Sequence, residues 1–330
     1  MAVLVTGANG FIGSHLVDAL VGAGEEVRCL VRRPVVGEPA AGSRFYVADF
    51  TRADLGVADS VLESVDTVYH VAGATRAVSV AAFQEANVAL TERLLDRVNR
   101  ARQAGLPPRF VYISSQAAAG PTPEESDAVT ESDTPAPIEA YGRSKLAAEH
   151  AVLSQASRFP VTVVRPVAVY GPGDRDFLSI FRMVRRGVAV YPGIRDATVT
   201  TIFVTDLVHG IIAAAHAPSA IGGTYFMGHP RAVTWRTIYR AVADVMGRRR
   251  FREVQVPLSL VRVGGAAGDL LGFVTGRPPL LSSGKAALAA PKFWTCSSDR
   301  ATRDFGFTAM TSLDDGLRAT YDWYRSHHRL

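Results

Sequence analysis

The chain has 330 residues, 48% hydrophobic and 20% charged, and a net charge of +5. That size and apolar content suit one large or two small globular domains with an ample core, and no internal repeat or low-complexity run is present. Two cysteines, Cys29 and Cys296, stand far apart without metal-ligand spacing, so no metal site is expected and a reduced, cytoplasmic setting fits.

The first residues form a strand rather than a basic n-region, which argues against a signal peptide. No run of about 20 uninterrupted apolar residues occurs, so no membrane span is expected. Arginines cluster at Arg182, Arg185 and Arg186 and again at Arg248, Arg249, Arg250 and Arg252. They close helix-like segments and lack aromatic interleaving, so they read as solvated helix ends and no nucleic-acid partner is expected.

In chain order, the strand Ala2-Val3-Leu4-Val5 runs into Thr6-Gly7-Ala8-Asn9-Gly10-Phe11-Ile12-Gly13, with a helix opening at Ser14. Gly7 allows a tight turn, Gly10 lets backbone approach a pyrophosphate, and Gly13 lets the helix pack on the strand. The helix N-terminus then faces the anion. Further strands are expected at 26–31, 44–48, 65–70, 109–114 and 161–165, with helices near 12–22, 52–62, 81–104 and 141–156. The alternation implies an α/β fold: a Rossmann-type, doubly wound parallel sheet covered on both faces, with right-handed crossovers. Beyond about residue 170 the pattern loosens into helices near 175–187, 232–246, 256–273 and 311–326 and short strands near 188–191, 199–203 and 224–227.

This divides the chain into a dinucleotide-binding domain over 1–170, rejoined by 201–221, and a smaller interleaved α/β substrate domain over most of 171–330. The apolar stretch 257–290 either walls a substrate or packs the small domain.

Candidate functional residues sit at strand ends. Arg32 and Arg33 close the second strand where an acid would grip an NAD ribose, and their guanidinium groups suit the 2′-phosphate of NADP. Asp49 and Phe50 follow the third strand and are placed to meet adenine, although Asp49 also reads as a plain turn acid. The fourth strand ends in His70-Val71-Ala72-Gly73-Ala74, whose small residues let a cofactor pass; His70 itself reads as structural. Asn87 on the next helix either ties the neighbouring strand or is a satisfied structural amide. Ser115 ends the fifth strand. Tyr141 and Lys145, four apart, share a helix face, where a cation beside the phenol, with the charge of an oxidised nicotinamide nearby, is expected to lower its pKa for acid–base work.

With these motifs (TGANGFIG, ADF, HVAGAT, YISS, YGRSK, RPVAVYGP and FVTDL) the chain resembles the extended short-chain dehydrogenases/reductases of the epimerase/dehydratase superfamily over nearly its whole length. The resemblance implies Tyr141 as proton-transfer residue, Lys145 on the nicotinamide ribose, and Ser115, five before Gly120, holding the substrate oxygen. It implies the loop Gly7, Asn9, Gly10, Phe11, Ile12 and Gly13 as pyrophosphate seat, and Pro166, Val167 and Val169 passing the carboxamide. It also implies a homodimer through helices 83–104 and 141–157, with Ala147, Ala148, Ala151 and Val152 as a small-residue face; intramolecular packing explains the same residues.

Departures narrow the branch. Gln116-Ala117 stands where 4,6-dehydratases carry an Asp-Glu pair. Ala168 stands where epimerases carry Asn, and residues 197–201 lack their diphosphate Arg, with Arg195 four residues early. The remaining similarity is to the dihydroflavonol-reductase and 3β-hydroxysteroid-dehydrogenase side, which implies hydride transfer between NADP(H), or NAD(H), and an apolar ketone or alcohol. A nucleotide-sugar 4-epimerase with tightly bound NAD and a non-catalytic dinucleotide sensor are the alternatives.

Overall fold

The structure, a computed structural model, describes residues 1–34, 41–101, 108–123, 128–279 and 281–330. The strands in chain order are β1 (Ala2–Thr6), β2 (Glu26–Val31), β3 (Ser43–Val47), β4 (Val65–His70), β5 (Arg109–Ile113), β6 (Val161–Pro166) and β7 (Ala168–Tyr170). They continue as β8 (Val188–Pro192), β9 (Thr198–Val199), β10 (Thr201–Phe203), β11 (Thr224–Met227), β12 (Val233–Thr234), β13 (Arg252–Val256) and β14 (Phe293–Trp294). The helices of the first half are α1 (Phe11–Gly22), α2 (Val80–Phe83), α3 (Leu90–Ala101) and α4 (Ala140–Leu153). Those of the second are α5 (Asp176–Arg185), α6 (Val204–His216), α7 (Trp235–Val245), α8 (Leu258–Thr275), α9 (Ser283–Leu288), α10 (Asp299–Phe305) and α11 (Leu313–Ser326).

Seven parallel strands form one sheet in the order β11-β6-β5-β4-β1-β2-β3. Successive side chains alternate faces, so Val3 and Val5 join a core with α1 and α6, while Leu4 joins the opposite core with α3 and α4. The doubly wound α/β reading is thus correct. β1 lies between β2 and β4, so the strand order reverses beside it, and in sheets of this kind ligands bind outside the carboxyl ends at that reversal. A third core gathers aromatic and branched residues of α5, α7 and α11, among them Phe177, Phe181, Ile238, Val242 and Tyr324.

Several elements differ from the sequence reading. No α-helix forms over 52–62; only a 3-10 turn at Asp59–Val61 does. There Asp49 accepts from the Thr51 amide and hydroxyl, Asp54 accepts from Gly56 N–H, and Leu55 takes φ +53°, so side-chain-to-backbone turns replace the helix. The helix expected from 81 is interrupted by a π turn over Gln84–Ala89 and is described only to Ala101. The 199–203 strand is two, β9 and β10, in different small sheets. The strand near 224 is the seventh of the main sheet, and α6 packs against α1. Ala148 and Val152 are fully buried in the chain's own core, so they cannot serve the small-residue pairing face.

The end of β4 is tied to both neighbours by a directional chain of hydrogen bonds. Thr91 Oγ1 donates to the Asn87 carbonyl (2.6 Å) and therefore accepts from His70 Nε2 (2.9 Å). That leaves His70 Nδ1 to accept from Thr6 Oγ1 (2.7 Å), which itself accepts from Ala72 N–H (3.1 Å). His70 is structural, as the sequence suggested: burial first, and the Lys145 charge second, push its pKa down to about 3. An unfolded imidazole titrates near 6.5, so the unfolded state binds the extra proton and stability falls as pH drops below that value. Urea unfolding at pH 7.5 and 5.5 is expected to show the wild type losing about 1.4 kcal/mol more than His70→Gln over that interval. Equal losses would contradict the assignment.

Candidate active site

The β1–α1 turn builds an anion seat. Gly7 takes φ +71°, and a Cβ there would lie 2.8 Å from Ala72 N; a Cβ on Gly13 would lie 2.1 Å from the Gly7 carbonyl oxygen. α1 begins at Phe11, three residues earlier than Ser14, so Gly13 sits in its first turn. No side chain caps this helix and no acid occupies its first turn, so its N–H groups face outward unpaired by side chains. Asn9 and Gly10 are exposed above it, with Phe11 and Ile12 half-buried. These features fit a pyrophosphate: free donors, a positive dipole end and no Cβ in the cradle.

Other expected contacts line the same sheet edge. Arg32 is exposed just beyond β2. Asp49 is exposed beyond β3 with Oδ1 already holding Thr51, which keeps the carboxyl below its usual range, while Phe50 is half-buried. Pro166 and Val167 are buried at the end of β6, Val169 is half-buried in β7, and Gly173 beyond it approaches Phe11. His15 Nε2 bonds the Pro172 carbonyl at 2.8 Å, so the loop after β7 closes over the glycine turn.

Asn87 lies in the π turn, and the extra residue per turn faces it inward. Its Oδ1 accepts from Ala74 N–H (2.7 Å), and its Nδ2 donates to the Ala74 carbonyl (3.1 Å) and Ser144 Oγ (2.8 Å). The amide therefore clamps the Ala72-Gly73-Ala74 segment to α4. Gly73 is glycine because a Cβ would lie 2.9 Å from Asn87 Oδ1 and 3.4 Å from Lys145 Nζ.

Ser115 meets Tyr141, and Lys145 lies one turn further along the same helix. α4 is capped by Glu139, which accepts from the Tyr141 and Gly142 amides at 2.5 Å each. Gly142 lets the helix head touch the Ser115 loop, since a Cβ there would sit 2.2 Å from the Ala117 carbonyl oxygen. Ser115 faces Tyr141 and favours its phenolate, but burial prevails and pushes the phenol up to about 12, with Glu139 acting in the same direction. In the chain itself Tyr141 is therefore held protonated; the lowering expected from sequence includes the charge of an oxidised nicotinamide beside the phenol.

Lys145 is buried, with Nζ donating to the Ile113 carbonyl (2.7 Å) above the Tyr112 ring (4.6 Å). Burial pushes the ammonium down to about 7, opposed by Glu149 one turn on.

Glu149 was not singled out from sequence, although its place four residues after Lys145 was the available signal. It pairs bidentately with Arg165, Oε1 to Nε at 2.9 Å and Oε2 to Nη2 at 2.7 Å, and accepts from Ser114 Oγ. Both charged partners are buried. Ser114 is thus committed to the helix behind the site, and Ser115 is the serine that faces Tyr141.

A model of the NAD dependent epimerase/dehydratase family matches residues 3–228. The chain belongs to this family. Within it the chain is an enzyme, an NAD(P)-dependent oxidoreductase of the extended short-chain dehydrogenase/reductase type. It is 31% identical to a ceramide reductase of Caulobacter vibrioides over 98% of this chain and 94% of that protein. It is 29% identical to a 3 beta-hydroxysteroid dehydrogenase/Delta 5-->4-isomerase of Mycobacterium tuberculosis over 98% and 90%. Among solved structures, MoeE5 in complex with UDP-glucuronic acid and NAD aligns with TM-score 0.78 at 26% identity over 99% of this chain and 100% of that one.

In this family member, Glu149→Gln leaves the Arg165 guanidinium buried without its counter-charge. The expected loss of stability in urea is about 3–5 kcal/mol, and adding Arg165→Met is expected to recover part of it. A loss under about 1 kcal/mol would show that the pair does not fix α4.

Proposed function

We propose that the protein is an NADP(H)-dependent reductase/dehydrogenase that interconverts a carbonyl and an alcohol on an apolar substrate. The observation that carries this reading is the convergence of Ser115, Tyr141 and Lys145 beside the glycine turn, with Tyr141 held protonated. A nicotinamide cofactor supplies or accepts the hydride. Ser115 orients the substrate oxygen and Tyr141 gives it a proton in reduction, or takes one in oxidation. Lys145 holds the nicotinamide ribose and stands behind the phenol, with Glu149 sustaining its charge.

On this reading the glycine turn seats the pyrophosphate, Asp49 and Phe50 meet the adenine, Ala72, Gly73 and Ala74 line the cofactor's path over the Asn87 clamp, and Pro166, Val167 and Val169 pass the carboxamide. Arg32 at the end of β2, where an NAD enzyme would carry an acid, supports NADP over NAD. Residues 1–170 with 201–221 carry the cofactor, and the remainder of 171–330 meets the substrate. The protein acts as a homodimer in the cytoplasm, where its two buried free thiols, Cys29 and Cys296, stay reduced.

The apolar substrate is supported by relatives named for ceramide and 3β-hydroxysteroid chemistry. Elimination has little support, because Gln116 is buried and Ala117 carries no acid. The epimerase reading is weakened by Arg195, which is drawn to Glu253 (3.4 Å) and Asp196 (3.5 Å) instead of standing free for a diphosphate.

Replacing Tyr141 by Phe is expected to lower kcat for NADPH-dependent ketone reduction by about 10²–10⁴-fold while leaving NADPH affinity nearly unchanged. A fall in the wild-type reduction rate across neutral pH is expected to follow loss of the Lys145 proton, pushed down to about 7, and not Tyr141, whose phenol pushed up to about 12 keeps its proton. Alcohol oxidation, which needs the phenolate, is expected to accelerate as pH rises. Unaltered turnover in the Phe variant would refute the role of Tyr141.

A further inference from the structure

α8 carries its large apolar side chains on the wrong side for a helix of a water-soluble body. Leu260, Val263, Leu270, Leu271, Phe273 and Val274 are each between 61% and 82% exposed. Val261, Gly265 and Gly272 are the residues it buries. The sequence reading offered two uses for this segment, a wall over substrate or packing of the small domain, and both require the apolar side chains to face inward. They face outward.

The inward face is glycine, and the chain's own return lies against it. Beyond Thr275 the backbone reverses at Gly276 (φ +65°) and runs back along the helix. A Cβ on Gly272 would lie 2.9 Å from Pro279, one on Gly268 would lie 1.9 Å from the Leu281 carbonyl oxygen, and one on Gly265 would lie 2.8 Å from that of Ser282. Asp269, the single carboxylate of α8, accepts from Ser283 N–H at 3.1 Å. The acid thus has a partner in the chain's own return, and Asp269, Arg262 and Arg277 are all exposed, which leaves two cations to one carboxylate on this flank.

We propose that α8 docks the protein on an anionic lipid bilayer. It lies in the interface with its outward apolar side chains among the upper acyl chains and Arg262 and Arg277 at the phosphates. α8 is the one helix among the described residues that is long and apolar enough to cross a membrane. Lying flat fits better than crossing. Its preceding strand, β13, pairs with β8 of the globular body, and residues 277–279 and 281–282 after it are neither helix nor strand, so hydrocarbon would leave their backbone unsatisfied. A second copy offers only Asp269, already held by Ser283 N–H, to meet Arg262 and Arg277, whereas anionic headgroups meet both.

The inward side of α8 connects to the catalytic helix through α9. α9 follows the return segment, and a Cβ on its Gly284 would lie 3.8 Å from Glu139, the cap that positions Tyr141. The proposal does not depend on the redox reading and is read without turnover.

The test is co-flotation of the full chain with vesicles of phosphatidylcholine alone or mixed with phosphatidylglycerol. Binding is expected to be stronger with the anionic mixture and to weaken with salt. Leu270→Ser/Phe273→Ser/Val274→Ser is expected to weaken it by about tenfold or more per side chain removed. Arg262→Gln/Arg277→Gln is expected to abolish the preference for anionic vesicles. An unchanged melting temperature and unchanged NADPH binding show that each variant is folded. Failure to float with either vesicle, or flotation that survives the triple substitution, would overturn the proposal. So would a dimer that the triple substitution splits, since that assigns the face to a second copy.

Discussion

The buried pair of Glu149 and Arg165 is the constraint on which the site depends. It joins α4 to β6 and, through Ser114, to the end of β5. Two charges leave water only when geometry and hydrogen bonds compensate, and here both carboxylate oxygens are engaged by the guanidinium. The pair fixes the azimuth of α4. The residue one turn before Glu149 is then Lys145, beneath the end of β5, and one turn earlier is Tyr141, facing Ser115. The same carboxylate supports the Lys145 ammonium against burial. One interaction thus sets the position of two catalytic candidates and the protonation of one.

Close approach does the rest. Gly142 permits the head of α4 to meet the Ser115 loop, Gly73 permits Asn87 to hold the path of the cofactor, and Gly13 permits α1 to present its uncapped N-terminus. These contacts lie at the carboxyl ends of adjacent strands around the reversal in strand order. On the proposed reading, a dinucleotide laid across that edge meets the glycine turn at one end and the Ser–Tyr–Lys group at the other. Tyr141, held protonated in the chain itself, suits the proton donor of that reading.

Local features were legible in the sequence, and long-range ones less so. The glycine turn, the six first strands and the Ser115, Tyr141 and Lys145 set rest on short spacings that local geometry obeys. The 52–62 segment was misread because apolar spacing outweighed Asp49 and Asp54, whose carboxylates capture nearby amides. The seventh strand was visible as a strand, but its partner was not, because β6 lies some sixty residues away in sequence. The rise of the Tyr141 phenol in the chain itself was not legible, since burial is not visible in sequence. For α8 the composition was plain and the direction was not: only the backbone shows which side the glycines turn to the returning chain.

The central claim is that this cleft serves net redox chemistry on NADP(H), not epimerisation on a retained NAD. Thermal shifts of the purified protein with NADPH, NADH and UDP-glucose test it directly. The account predicts the largest rise in melting temperature with NADPH, a smaller one with NADH, and none added by the nucleotide sugar. A protein that purifies with NAD bound and is stabilised further by UDP-glucose would contradict it.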